Sequence, residues 1–194
     1  MTLKPWKILS SKYLVQDRWI NLRADRCETA EGAIIEPFYI FEKADWTHVV
    51  PFDDKQRILI VRQYRHGARE VCAEIPCGLI DDSDASPLDA VKRELLEETG
   101  CEAKRIESLG SVYANPARQT NKVHSFIAFG TKQVAEQHLD ETEDIEFEFV
   151  EINKLMQLID RGEFSQSLHI SSIFLALRYC GLLDKAYHGT KHGI

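Results

Sequence analysis

The sequence predicts an α+β fold, a mixed α/β sandwich in which helices cover a curved sheet, with a small antiparallel β-sheet at the N-terminus. Three observations carry that reading. Strand-like runs of β-branched and aromatic residues dominate the first third, one strongly capped helix stands mid-chain, and later strand runs give way to two isolated helical segments. The 194 residues suffice for one domain with a small appendage. Residues 1–43 form the N-terminal sheet region on this reading, and residues 44–194 the main domain.

In order along the chain, residues 14–24 and 33–41 read as strands either side of a turn at 29–32, and stop at the charged residues 42–45. Residues 47–52 and 57–64 flank Asp53-Asp54-Lys55-Gln56, the pattern of a hairpin with a four-residue polar turn. Pro76 and Gly78 favour an irregular backbone before the helix, and a glycine there lets the chain approach a ligand. The helix itself spans about 87–99: Ser86 suits the N-cap, Pro87 the first helical position, Asp89 the acidic place of a capping box, and Gly100 the left-handed stop. Leu88, Val91, Leu95 and Thr99 recur at helical spacing, so that stripe faces the core and the charges take the other faces. Residues 106–113, 122–130 and 145–152 read as strands; 153–161 and 169–179 read as helices ending near Gly162 and Gly181.

Composition narrows the function. Hydrophobic residues at 44% and charged residues at 28% are the balance of an ordinary globular protein. A net charge of −7 works against neutralising a nucleic-acid backbone, so nucleic acid is not expected as a partner, while a single phosphorylated small molecule is compatible with it. Apolar stretches such as 58–61 and 173–177 fall far short of a membrane span, and the N-terminus lacks signal-peptide features, so a cytoplasmic protein is expected. The five cysteines, odd in number and without CxxC spacing, argue for reduced thiols and against a disulfide framework or zinc site.

Within the helix stands Arg93-Glu94-Leu95-Leu96-Glu97-Glu98-Thr99-Gly100. Glu94, Glu97 and Glu98 project over one broad face at three- and four-residue spacing, where like charges repel unless a cation joins them; oxygen-only ligands favour a hard ion. The run by itself also fits a solvated charged surface.

Its context selects between the two. Gly78 to Cys101 resembles the Nudix box, matching it at every position from Arg93 through Cys101. The first half departs from the pattern: the acid six after Gly78 is Asp84 where the box has Glu, and eight residues separate it from Arg93 where the box has seven. No role is assigned to Asp84. The segments 44–50, 60–67 and 74–78, with Pro116 placed 15 residues after Cys101, resemble the ADP-ribose and nucleoside-diphosphate-sugar pyrophosphatase branch.

That resemblance implies the Nudix fold, with 44–194 as the catalytic domain, and hydrolysis of ADP-ribose or a related nucleoside diphosphate sugar to a nucleoside monophosphate and a sugar phosphate. It implies Mg²⁺, or Mn²⁺, held by Glu94, Glu97, Glu98 and the backbone carbonyl of Cys77, with Arg93 orienting the glutamates. Arg65 is implied as the phosphate clamp and Arg118 as a second substrate contact. The general base falls in the loop 132–144, with Glu136 preferred on spacing and Glu143 the alternative. Trp19 and Trp46 are candidates for stacking on the base, in a homodimer that shares its N-terminal sheets; core packing is the competing reading for both. Other substrates, namely GDP-mannose, a dinucleotide or an oxidised nucleotide, keep the same fold. A binding module that senses ADP-ribose without cleaving it is a further alternative, against which the retained glutamates argue.

Overall fold

The computed structural model describes residues 3–183. Within them the chain forms two compact units: one runs to Asp45 and takes in Val112–Val123, and the other is Trp46–Ser111 with the chain from His124 onward.

In the first unit β1 (Lys7–Gln16), β2 (Asn21–Glu28) and β3 (Ile34–Glu42) form an antiparallel sheet in that order. Residues 14–24, expected as one strand, contain a turn. Asp17 Oδ1 accepts from the backbone N–H groups of Trp19 and Ile20 at 2.7 and 2.8 Å, so a side chain replaces the ladder there and reverses the chain. At the next turn Thr29 N–H donates to Ala33 O at 2.8 Å. Arg23 holds the sheet's polar centre, donating to the buried Asp25 at 2.8 and 3.0 Å and also to Glu42.

The second unit is built on β4 (Trp46–Phe52), β5 (Ile58–Arg65), β6 (Glu70–Glu74), β7 (Cys77–Leu79), α1 (Pro87–Thr99), β8 (Cys101–Glu102), β9 (Arg105–Tyr113) as far as Ser111, β10 (Lys122–Phe129) from His124 on, β11 (Lys132–Gln133), β12 (Ile145–Val150), α2 (Ile152–Asp160) and α3 (Ser167–Tyr179). The main sheet is ordered β12-β5-β4-β10-β9, with β6 on β5 and β7 on β4. The short strands β6 and β7 lack the length or alternation that marks a strand in sequence. In particular, 77–79, expected to be irregular, pairs antiparallel with β4: Trp46 faces Leu79, Thr47 faces Gly78 and His48 faces Cys77. The proline before it bends the chain without preventing the pairing, because Pro76 precedes the strand.

The run Ile58–Val61 is apolar on consecutive positions because both faces of its strand are covered. Ile58 and Ile60 pack with Val50, Leu155, Ile173 and Leu177 under α2 and α3, whereas Leu59 and Val61 pack with Val49, Val91 and Leu95 under α1. Each such residue contributes about 1.5–3 kcal/mol by leaving water. One polar knot crosses this core: His48 Nε2 lies 2.8 Å from Ser125 Oγ and 2.6 Å from Ser172 Oγ, joining β4, β10 and α3. Burial pulls the His48 pKa down to about 3, so the knot is uncharged.

Candidate active site

The start of α1 is set by Ser86, whose extended backbone (φ −160°) lets Oγ accept from Asp89 N–H at 3.2 Å while its hydroxyl donates to Asp89 Oδ2 at 2.7 Å. The helix stops at Gly100, which adopts φ 64° with its N–H on Leu96 O. A side chain there would meet Ala135 O at 2.1 Å, so glycine is required twice over. The last carbonyls of the helix are capped from residues 137 and 138: His138 N–H donates to Glu97 O at 2.9 Å and Gln137 Nε2 to Glu98 O at 2.6 Å.

The buried face of α1 carries Ala90, Val91, Leu95 and Thr99, and also Glu98, which is 4% exposed. A carboxyl group thus sits in the stripe expected to be apolar. Cys77 N–H donates to its Oε2 at 3.1 Å. Burial holds the Glu98 carboxyl well above the usual range, and the nearby charges of Glu94 and Glu143 add to this against the Cys77 hydrogen bond. Glu94 lies across Gly78, where a Cβ would stand 1.9 Å from its Cδ. The space beside Gly78, expected to admit a ligand, is filled by the glutamate that the helix directs onto it. Burial raises the Glu94 pKa to about 7; Arg93 opposes the shift, and Glu97 and Glu143 reinforce it.

Arg93 gathers the rest. Its Nη1 donates to Glu94 Oε1 at 2.8 Å and Glu97 Oε2 at 3.0 Å, its Nε and Nη2 to Asp84 at 3.2 and 2.8 Å, and Nη2 also to Leu79 O at 3.1 Å. Asp84, unassigned from sequence, therefore holds Arg93 through two bonds while accepting Asp81 N–H at 2.9 Å, and the guanidinium keeps its carboxyl below the usual range. Arg65 Nε and Nη2 grip Glu74, which is buried, at 3.0 and 2.6 Å. Glu74 escaped sequence reasoning because the pair spans the β5–β6 hairpin and depends on its register.

A model of the NUDIX domain matches residues 44–168, and one of the nucleoside diphosphate sugar hydrolase N-terminal domain matches residues 6–41. The chain belongs to the Nudix family. An ADP-ribose pyrophosphatase of Mycobacterium tuberculosis is 28% identical over 170 residues, 87% of this chain and 81% of that protein. A GDP-mannose pyrophosphatase of Citrobacter koseri is 26% identical, over 84% of this chain and 87% of that protein. A solved structure described as an ADP compounds hydrolase superposes with a TM-score of 0.82 at 21% identity, covering 94% of this chain and 99% of that one, which establishes the shared fold.

Around the Nudix helix the remaining predicted residues divide. The Glu143 carboxylate is close enough for its charge to raise both Glu94 and Glu98, and it accepts Asp140 N–H at 3.3 Å. Glu136 is exposed; its loop is fastened to the C-terminal end of α1 by Val134 and Ala135 N–H groups on Gly100 O. Trp46 packs edge-on to His48 and tilted to His169, with ring centroids 5.4 and 5.7 Å away. Trp19 and Arg118 belong to the first unit. Trp19 is 76% exposed with the Arg18 guanidinium 4.0 Å over its ring, and Arg118 lies 4.8 Å over Phe38 while bonding Tyr39 O at 3.4 Å.

Proposed function

We propose that this Nudix hydrolase cleaves the pyrophosphate of ADP-ribose or a closely related nucleoside diphosphate sugar, releasing a nucleoside monophosphate and a sugar phosphate. The observation that carries the reading is the seating of Glu94 and Glu98 against Cys77–Gly78, with Glu97 joined to Glu94 through Arg93. The named relatives support the substrate class.

The donor set fits a divalent cation, Mg²⁺ first and Mn²⁺ second. Glu94, Glu97, Glu98 and the Cys77 carbonyl offer only oxygen, and burial already disfavours the charged forms of Glu94 and Glu98 unless a cation is near. When bound, the metal neutralises phosphoryl charge and acidifies the attacking water. Arg93, locked by Asp84, orients the glutamates. Arg65 keeps two nitrogens on Glu74, which leaves Nη1 to donate to a phosphate oxygen. Glu143 is preferred over Glu136 as the base that takes the water's proton, because its charge is the one felt at the carboxylate centre. Trp19, exposed, is the aromatic proposed to stack on a base; Trp46 is engaged by two histidines. Arg118, occupied by Phe38 and Tyr39, stays a secondary candidate.

The same reading includes a homodimer through the N-terminal sheet, supported by β1, which is exposed along its whole length and bears Ile8, Leu9, Leu14 and Val15. It includes a reducing, cytoplasmic setting, supported by five free cysteines. The deciding experiment supplies ADP-ribose, GDP-mannose, UDP-glucose and a dinucleotide with Mg²⁺ and identifies the products. AMP and ribose 5-phosphate are expected from ADP-ribose as the fastest substrate; binding without turnover of any pyrophosphate overturns the reading in favour of a sensor module. Preference for GDP-mannose is the second reading, favoured by the GDP-mannose pyrophosphatase relative.

A further inference from the structure

We propose that Glu74, Cys77 and His169 form a second metal site, for a thiophilic divalent ion of the Zn²⁺ class, built on the side chain of the same Cys77 whose carbonyl serves the carboxylate centre. One oxygen, one sulfur and one nitrogen converge, their ligand atoms all within 4.8 Å of one another. Cys77 Sγ and His169 Nδ1 each lie 3.9 Å from Glu74 Oε2. Zn–N and Zn–S bonds of about 2.0–2.3 Å place tetrahedral donors about 3.3–3.8 Å apart, so a contraction of about 1 Å completes the site.

The histidine is prepared for it. His169 is fully buried, and its Nδ1 is the acceptor nitrogen, its lone pair taken by a long bond of 3.4 Å from Ile75 N–H that a metal ion would displace. Its Nε2 has no hydrogen-bond partner among the described residues; packing against Trp46 and His48 orients the ring. Charge balances as well. Arg65 now compensates Glu74; a divalent ion with the Glu74 carboxylate, the Cys77 thiolate and neutral His169 is again neutral, and the Cys77 proton passes to water as the ion binds. Arg65, whose side chain is 40% exposed, has to give up its bonds to Glu74 at 3.0 and 2.6 Å and its 3.7 Å contact with Cys77 Sγ as the ion takes their place. Three protein ligands leave a fourth position for water. Thiolate and imidazole select Zn²⁺ where the helix carboxylates select Mg²⁺, so the two sites sort their ions by chemistry.

The test is a Co²⁺ titration of the full chain in excess Mg²⁺, followed by thiolate-to-metal charge-transfer and tetrahedral d–d absorption. Co²⁺ should bind with a thiolate band, be displaced by Zn²⁺, and lose at least about a hundredfold in affinity in Cys77→Ala and in His169→Gln. Glu98→Gln should keep the band, which separates this site from the carboxylates. Where melting shows His169→Gln unfolded, Cys77→Ala decides alone. A band unchanged in Cys77→Ala, or Co²⁺ bound with no thiolate band, overturns the proposal. No turnover enters the readout, so the result stands apart from the proposed reaction.

Discussion

Along α1 the charged side chains on the site find partners within the chain: Arg93 on Asp84, Glu94 and Glu97, and Glu98 on the Cys77 N–H. Along β1 every side chain is exposed, and Ile8 at 60% and Leu14 at 47% stand among them as large apolar groups. The first surface is paired from inside, and a small cation is what is proposed for its carboxylates. The second is the surface proposed to meet another copy of the chain. Substitutions in α1 should therefore be felt in chemistry and metal binding, and substitutions in β1 in assembly.

The sharpest break is Glu98→Gln. It keeps the hydrogen bond from Cys77 and the shape, yet should lower kcat about 10²–10³-fold; near-normal turnover in that variant removes the metal assignment. Gly78→Ala comes next. Its methyl group has to displace the flexible carboxyl end of Glu94, so a loss of about a hundredfold in turnover is expected with denaturant-measured stability changed by less than about 1 kcal/mol, while unchanged turnover would show that Glu94 has room elsewhere. Asp84→Asn frees Arg93 from its anchor and should weaken Mg²⁺ binding about tenfold or more by calorimetry.

A pH series probes the same helix. The Glu94 pKa is raised from an ordinary 4.5 to about 7, so the metal-free fold favours the protonated acid. Its stabilising contribution is complete below about pH 4.5 and is lost as pH rises to about 7. The melting temperature of the metal-free protein should fall over that window, and Mg²⁺ should restore it most above pH 7; a flat profile contradicts the burial argument. The smallest effect on the fold belongs to Ile8→Asp, expected to stay within about 0.5 kcal/mol for the isolated chain while shifting sedimentation equilibrium towards monomer.

Legibility followed locality. The bounds of α1 were readable because Ser86, Pro87 and Gly100 act on the backbone within a few residues, and the acid cluster was readable because helical spacing fixes which carboxylates share a face. The alternating strands and the sandwich followed from periodicity. Asp17 hid a turn inside a strand-like run, since a side-chain bond to two N–H groups leaves the apolar pattern intact. Arg65 with Glu74 depends on the register of a hairpin, and His169 with Glu74 is a contact across distant segments; no local pattern encodes either. Glu136 and Glu143 both lie in an aperiodic loop, so spacing could not choose between them, whereas the fold brings the charge of Glu143 to the carboxylates.

Glu98 shares its helix face with Val91 and Leu95, so the protein's oily interior and its proposed metal centre have a common wall. Changes that selection would tolerate as mere repacking of Leu59, Val91 or Leu95 are expected to shift the seat of that carboxylate, and with it the proposed metal site. Natural drift in the core becomes a slow dial on activity, and a designer wishing to alter metal preference could begin behind the helix without touching a single acid.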